Sequence, residues 1–372
     1  MPIQAEVTLA SSPETSYLRA LSQLTLNKQG PGSSSLREAL IFVSGLNEAG
    51  RAELVRLADS HHVLVRALQT VHALAAGSSD TGLIAWTEAT LAGEQGRIEN
   101  ALKHLEAVCR ELEAARCPVV VIKSLDHWPD LGNDLDLFSP ASERNIVRVM
   151  REKFQAQVEP RSWGDRLANK WNFAVPGLRE AIEVHAQRLG QTGEHIALAQ
   201  RVIERAVPKQ VGGYTFRVPA PEERIITATL QRMYRHFYFR ICDVLDTANL
   251  VESGAVDFDE LRRSADLGGI WPGVATFLLI VSDYVKSYRG QGVALPQEVL
   301  SAAKFGGDRI TVRSRFLRFP LMPEGAGLYG LQMRHTAARG NVPAALRLSL
   351  LPPLASMAAL AYRVTGSDKG IW

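Results

Sequence analysis

Cysteine is scarce. Three residues in 372, Cys109, Cys117 and Cys242, are too few and too far apart for a disulfide framework, and no Cys-x-x-Cys pair marks a structural zinc site. An odd, scattered set suits a reducing cytosol. Long unbroken apolar runs are missing too. The most apolar late stretch, Val342 to Val364, is interrupted by Arg347, Pro352, Pro353 and Arg363. It reads as a packed helical hairpin split at the prolines, and no transmembrane segment is expected. Met1 to Ser16 carry neither a charged n-region nor an apolar h-region, so a secretory signal is not expected and a cytoplasmic location is. There is no Gly-x-Ser-x-Gly, P-loop, Rossmann glycine pattern or Cys-centred nucleophile site, and the chemistries tied to those motifs lose their support.

A strong charge of one sign is also absent. The net charge is +3, but its distribution is uneven: Ser301 to Trp372 hold ten Lys/Arg against three Asp/Glu, which leaves −4 for the rest. A basic C-terminal segment suits a phosphate-bearing partner and equally suits a solvated surface. With 46% apolar and 22% charged residues, the chain has the composition of a soluble globular protein, and its length calls for two or three units.

What is present concentrates between Cys117 and Phe138. A buried-type strand, Val119 to Ile122, ends in Lys123 and is followed by a Pro/Gly/Asn loop. Asp134 and Asp136 then alternate with Leu135 and Leu137. Strand side chains alternate between faces, so both aspartates share one face and both leucines the other. Asp is disfavoured in strands, and neighbouring carboxylates repel unless something positive lies between them. A divalent cation carrying phosphates is a common answer; two solvated acids at a strand end are the alternative. An EF-hand is excluded, because no position-twelve Glu or central Gly follows Asp134 at the required spacing.

Periodicity divides the chain into an irregular N-terminal segment (1–35) around a helical patch, Tyr17 to Leu26; a helical region (36–116); an α/β core (117–218); a second helical domain (219–305); and a basic C-terminal segment (306–372). Within the core, strands are expected at Val119–Lys123, Asp134–Phe138, Trp171–Val175, Ala181–His185 and Tyr214–Val218, with a helix from Ala141 to Phe154. A long helix is expected from Leu83 to Ala115, stopped by Pro118. Further helices are expected at Ile225–Phe239, Asp243–Glu252, Phe258–Asp266, Val274–Tyr288 and Gln297–Lys304. The class is α+β: a mixed β-sheet core flanked by N- and C-terminal helical regions.

Several short motifs follow one another along the chain: Ile122-Lys123-Ser124, Asp134-Leu135-Asp136-Leu137, Ile182-Glu183-Val184-His185, Pro221-Glu222-Glu223, His236, Asp246 and Asp257-Phe258-Asp259-Glu260-Leu261. In this respect the chain resembles, over roughly residues 50 to 290, the uncharacterised bacterial nucleotidyltransferase family with the polymerase beta-like nucleotidyltransferase fold. The resemblance implies an enzyme that moves an NMP from an NTP such as ATP, with two Mg²⁺ ions held by carboxylates. Two departures stand out. Ser124 replaces the family's glycine, and the arginine usual before the first aspartate is absent from Pro129-Asp130-Leu131-Gly132-Asn133. Arg161, Arg166 or the basic tail are the expected substitutes.

Two-metal transfer stabilises the attacking and leaving oxygens together and calls for about three carboxylates. Asp134, Asp136 and Glu183 are the candidate catalytic and metal-holding residues; Glu183 would also help accept the nucleophile's proton. Lys123 and Ser124 are candidates for the phosphates, and His185 and His236 complete the nucleotide-binding set. Each has a structural alternative: Lys123 as an ordinary strand-end lysine, His185 as a hydrogen-bonding core histidine, and the cationic, aromatic stretch Met233 to Arg240 around His236 as core rings with arginines reaching outward. Asp243 and Asp246 are expected to pair with Arg240 or His236. His61 and His62, adjacent on a helix, face different ways and are not expected to share a metal. The acceptor is expected to be a hydroxyl or phosphate of a small molecule, or of a protein, rather than DNA. The alternatives are an inactive nucleotide- or partner-binding module of the same fold and an RNA-directed transferase using Lys304 to Arg318.

Overall fold

A computed structural model of the chain describes residues 13–27, 33–354 and 356–357. The chain opens with α1 (Pro13–Leu26), α2 (Ser34–Ser44), α3 (Glu48–Ser60), α4 (Leu64–Ser78) and α5 (Thr81–Ala114). Next come β1 (Val120–Val121), β2 (Asp134–Ser139), α6 (Glu143–Phe154), β3 (Gln157–Val158), α7 (Trp163–Ala168), β4 (Lys170–Ala174), β5 (Ala181–Ala186), α8 (Ile196–Glu204), β6 (Val207–Val211) and β7 (Tyr214–Val218). The remainder is α9 (Pro221–Gln231), β8 (Tyr238–Phe239), α10 (Ile241–Glu252), α11 (Phe258–Leu267), α12 (Trp271–Arg289), α13 (Gln297–Ala302), β9 (Thr311–Arg313), β10 (Phe316–Arg318), α14 (Ala326–Ala338) and α15 (Val342–Leu348). The α+β class expected from the pattern is borne out.

Local chemistry sets many boundaries. Asn47 caps α3 by accepting from Gly50 N at 2.9 Å, and Asp80 caps α5 by accepting from Leu83 N at 3.0 Å. The 34 residues of α5 bury Ile98, Leu102, Leu105, Val108 and Leu112 on one stripe. α1 is longer than the patch at Tyr17 to Leu26. It reaches across to α12, where Ser22 Oγ lies 2.8 Å from Tyr284 Oη. One buried apolar cluster runs from these helices through the sheet into α10 and α12.

The main sheet has the order β1-β2-β5-β4-β3. β2 and β5 are parallel, with Asp136 opposite Glu183; the other pairs are antiparallel. Leu135, Leu137, Ile182 and Val184 share one face and belong to the large core with α5 and α6. The opposite face carries Asp134, Asp136, Glu183 and His185, joined in register by Lys170 and Asn172 of β4. At its far end Phe138 packs with Ala199 and Val202 of α8. The sheet is therefore greasy on one side and ionic on half of the other.

Three expectations are corrected. Tyr214–Val218 is a strand, but it pairs with β6 in a separate hairpin turned by Gly212 and Gly213 at positive φ. β1 is shorter than Val119–Lys123, because Lys123 takes φ 62° and leads into a tight turn at Ser124–His127. The helix expected over Ile225–Phe239 stops at Gln231. A widened helical turn, Arg232–His236, follows, then Phe237 in the left-handed region and β8, which pairs with β10. A pairing partner some eighty residues away overrides the local helical period there. At the C-terminus α15 ends at Leu348, and the part of the expected hairpin beyond residue 357 lies outside the described residues. No helix among the described residues is long and apolar enough to cross a membrane.

Candidate active site

A polar cavity of about 240 Å³ opens over the ionic half of the sheet. Asp134, Asp136 and Glu183 line its floor, as their shared face requires. Asp136 and Glu183 converge with His185: one ligand atom from each lies within 4.8 Å of the others. His185 Nε2 is 2.9 Å from Glu183 Oε1 and 3.9 Å from Asp136 Oδ1. Asp134 is the exposed member of the three acids, and its carboxylate stands outside that tight group.

Two lysines neutralise the acids. Lys123 Nζ lies 2.5 Å from Asp136 Oδ1 and 3.9 Å from Glu183 Oε1. Lys170 Nζ bridges Glu183 Oε2 and Asp165 Oδ1, each at 2.9 Å. Burial pushes the Asp136 carboxyl up to about 7, with Glu183 adding to the rise and Lys123 opposing it. Burial also works against charge on Glu183, yet the His185 hydrogen bond and the two lysines outweigh it and hold this carboxyl well below its usual value. His185 falls to about 4, because burial penalises the imidazolium more than Glu183 favours it. Asp134, though open to solvent at the cavity rim, is raised by the partial desolvation of its carboxyl and by Glu183.

Ser124 is committed elsewhere. Its buried hydroxyl accepts from Asp136 N at 2.7 Å and donates to Asp134 O at 3.1 Å, tying the turn to β2. His236 lines the cavity, lies tilted against Tyr238 at 5.3 Å between ring centroids, and is driven well below its usual pKa by burial and by Arg235. The loop carrying Asn133 is clamped from below: Arg97 donates to Leu131 O and Gly132 O and pairs with Glu180, while Asp130 pairs with Arg66 at 2.7 Å.

Neither Arg161 nor Arg166, named as substitutes for the absent arginine, lines this cavity, and no described residue of the basic tail does. Arg161 lies over Trp171 and Arg166 over Trp163. Arg232, Arg235 and Arg240 line it instead. The cation-rich stretch at Met233 to Arg240 was the available signal for them, but only long-range pairing shows which cations turn inward. Lys170 left a fainter signal: it shares strand parity with Asn172. Asp243 meets its expected partner Arg240 only through the backbone, and the ion pairs of Asp243 and Asp246 are with other residues. Asp243 accepts from Arg240 N and pairs with Arg232, while Asp246 pairs with Arg66 and His127. His61 holds Ile241 N and Arg315 O, and His62 bonds to Arg240.

The donor set fits a divalent cation. Two buried carboxylates and a third on the same face offer the oxygen ligands that Mg²⁺ favours. His185 Nδ1 is buried without a partner among the described residues. Lys123 hangs on a flexible stem, so its ammonium can cede Asp136 to an ion.

Residues 47–285, well over half of the chain, match the family described as uncharacterised nucleotidyltransferase. No curated protein matches. The crystal structure of an antigenic nucleotidyltransferase-like protein from Paracoccidioides brasiliensis is similar over 52% of this chain and 94% of that one, at 13% identity and a TM-score of 0.30.

Proposed function

The chain belongs to the family of uncharacterised nucleotidyltransferases, and from that premise we propose that it is an Mg²⁺-dependent enzyme moving an NMP from an NTP to a hydroxyl or phosphate of a small molecule. The core at 117–218 would have the polymerase beta-like arrangement, with the helical regions before and after it walling the cleft and choosing the acceptor. The observation that carries this reading is the parallel register of Asp136 with Glu183, which sets two carboxylates and their neighbour Asp134 on one face beneath a polar cavity.

Asp134, Asp136 and Glu183 would hold two metal ions, whose contribution when bound is to stabilise the attacking and leaving oxygens. Glu183, kept ionised by His185 and the lysines, supplies fixed negative charge and is a weak base. As the carboxylate nearest the nucleophile's metal, Glu183 would still help accept the nucleophile's proton. His185 stays neutral and orients Glu183. Lys123, released from Asp136, remains within reach of a phosphate at the same edge.

The test uses labelled NTPs, Mg²⁺ and a cell extract. Transfer of label to an acceptor, reduced at least about 100-fold in Asp136→Asn and Glu183→Gln with an unchanged circular dichroism spectrum, supports the enzyme. The binding module has one observation in its favour, the Lys123 ammonium seated on Asp136. NTP binding without product in any extract would establish that reading.

A further inference from the structure

Facing the carboxylates is a wall built from one short segment, Gln231 to Arg240. Its core is the widened helical turn Arg232–His236, a geometry that is rare and frequent at functional sites. Gln231, Arg232, Arg235, His236, Tyr238 and Arg240 all line the 240 Å³ cavity.

The cations there are unevenly matched. Lys123 and Lys170 have carboxylates on the floor, and Arg232 has Asp243. Arg235 and Arg240 have no carboxylate within ion-pair distance among the described residues, although three acids line the same cavity. Arg235 stands where this cavity meets two smaller clefts beside Gln191 and is bonded to nothing described. Arg240 gives one Nη1–H to His62 Nε2, and its buried Nε has no acceptor among the described residues. Because His62 Nε2 accepts, the ring proton is on Nδ1. That N–H is also buried and has no partner among the described residues, on a residue only 5% exposed. Burial and Arg240 keep His62 neutral, so it offers a donor without adding charge.

Unpaired guanidiniums and orphaned buried donors are costly unless an anion completes them. Several convergent donors in a space of this size suit an anion with many oxygens, and the guanidinium fork matches phosphate geometry. Resting on the nucleotidyltransferase reading of the site, we propose that Arg235, Arg240 and the His62 Nδ1–H form its polyphosphate-binding wall, holding the β- and γ-phosphates of the donor nucleotide opposite the carboxylate floor. The divalent ions and the arginines then grip the triphosphate from two sides.

Calorimetric titration of the full chain with inorganic tripolyphosphate in EDTA-containing buffer tests this without turnover. Arg235→Gln and Arg240→Gln are each expected to weaken binding about 10- to 100-fold, the range for losing a charge-assisted contact. Arg235→Lys should fall between wild type and Gln, and Arg144→Gln, an exposed arginine of α6, should change nothing. Thermal melts identify any variant that has lost its fold, and the Lys variants of both positions then carry the test. Three results would each overturn the proposal: no binding by wild type, equal binding by the Gln variants, or equal weakening by Arg144→Gln. Arginine-insensitive tripolyphosphate binding alongside label transfer that needs Asp136 would sink the wall and leave the enzyme. Arginine-dependent binding with no transfer in any extract would do the reverse.

Discussion

Lys170→Met is the most incisive single change in this protein. The Lys170 side chain is 9% exposed, and its ammonium lies 2.9 Å from carboxylates of both Asp165 and Glu183. At an effective dielectric near 20, each attraction is about 6 kcal/mol before desolvation is counted. Methionine regains roughly 1.5–3 kcal/mol of apolar burial but leaves two buried acids short of a cation, and breaking a buried pair costs about 3–5 kcal/mol net. The unpaired charge therefore wins, and urea denaturation at pH 7.5 should show a loss of about 3–5 kcal/mol. The pH dependence carries its own sign. Burial raises both carboxyls, but His185 and the lysines hold Glu183 well below its usual 4.5, and Lys170 with Ser162 holds Asp165 below 3.8. Depressed carboxyls contribute stability above those unfolded values, and wild type loses it as pH falls through the lower folded ones. The variant lacks the Lys170 part of that contribution at any pH, so the gap is fullest above about pH 4.5 and narrows in acid. A gap below about 1 kcal/mol at pH 7.5, or one that is unchanged between pH 7.5 and 4, would refute the assignment of Lys170 as the cation shared by Asp165 and Glu183.

Other perturbations have equally definite outcomes. His61→Ala removes the acceptor of Ile241 N–H at 3.0 Å and the partner of Arg315 O at 2.8 Å, and should lower the stability measured in urea by about 2–4 kcal/mol. Arg97→Met strands the buried Glu180 and releases the carbonyls of Leu131 and Gly132. It should cost about 3–5 kcal/mol, and Arg97→Met with Glu180→Gln should recover at least about 1 kcal/mol in a double-mutant cycle. Gly190→Ala forces a side chain onto a residue at φ +95°, with its Cβ 2.4 Å from the Glu194 carboxyl carbon. The urea midpoint should drop by an amount equivalent to about 1–3 kcal/mol.

The local pattern carried much of this architecture. The two-residue alternation of Asp134-Leu135-Asp136-Leu137 and Ile182-Glu183-Val184-His185 already assigned acids to one face and aliphatics to the other, because strand geometry allows nothing else. The 3.6-residue period likewise marked α5 and most of the C-terminal helices. Pairing was not legible. That β2 and β5 lie side by side with Asp136 opposite Glu183, and that β4 brings Lys170 to the same floor, depends on contacts between residues tens of positions apart. The segment at Arg232 to Arg240 shows the limit most clearly. Its composition announced cations and rings, but a helical period was the wrong description, since β10 captures Tyr238 and Phe239. Sequence by itself determined which side chains share a strand face or a helix stripe, because that is fixed by the few bonds around each residue. Only the tertiary structure decided which charges meet, because opposite charges from distant segments are brought together by the burial of the apolar surfaces beneath them.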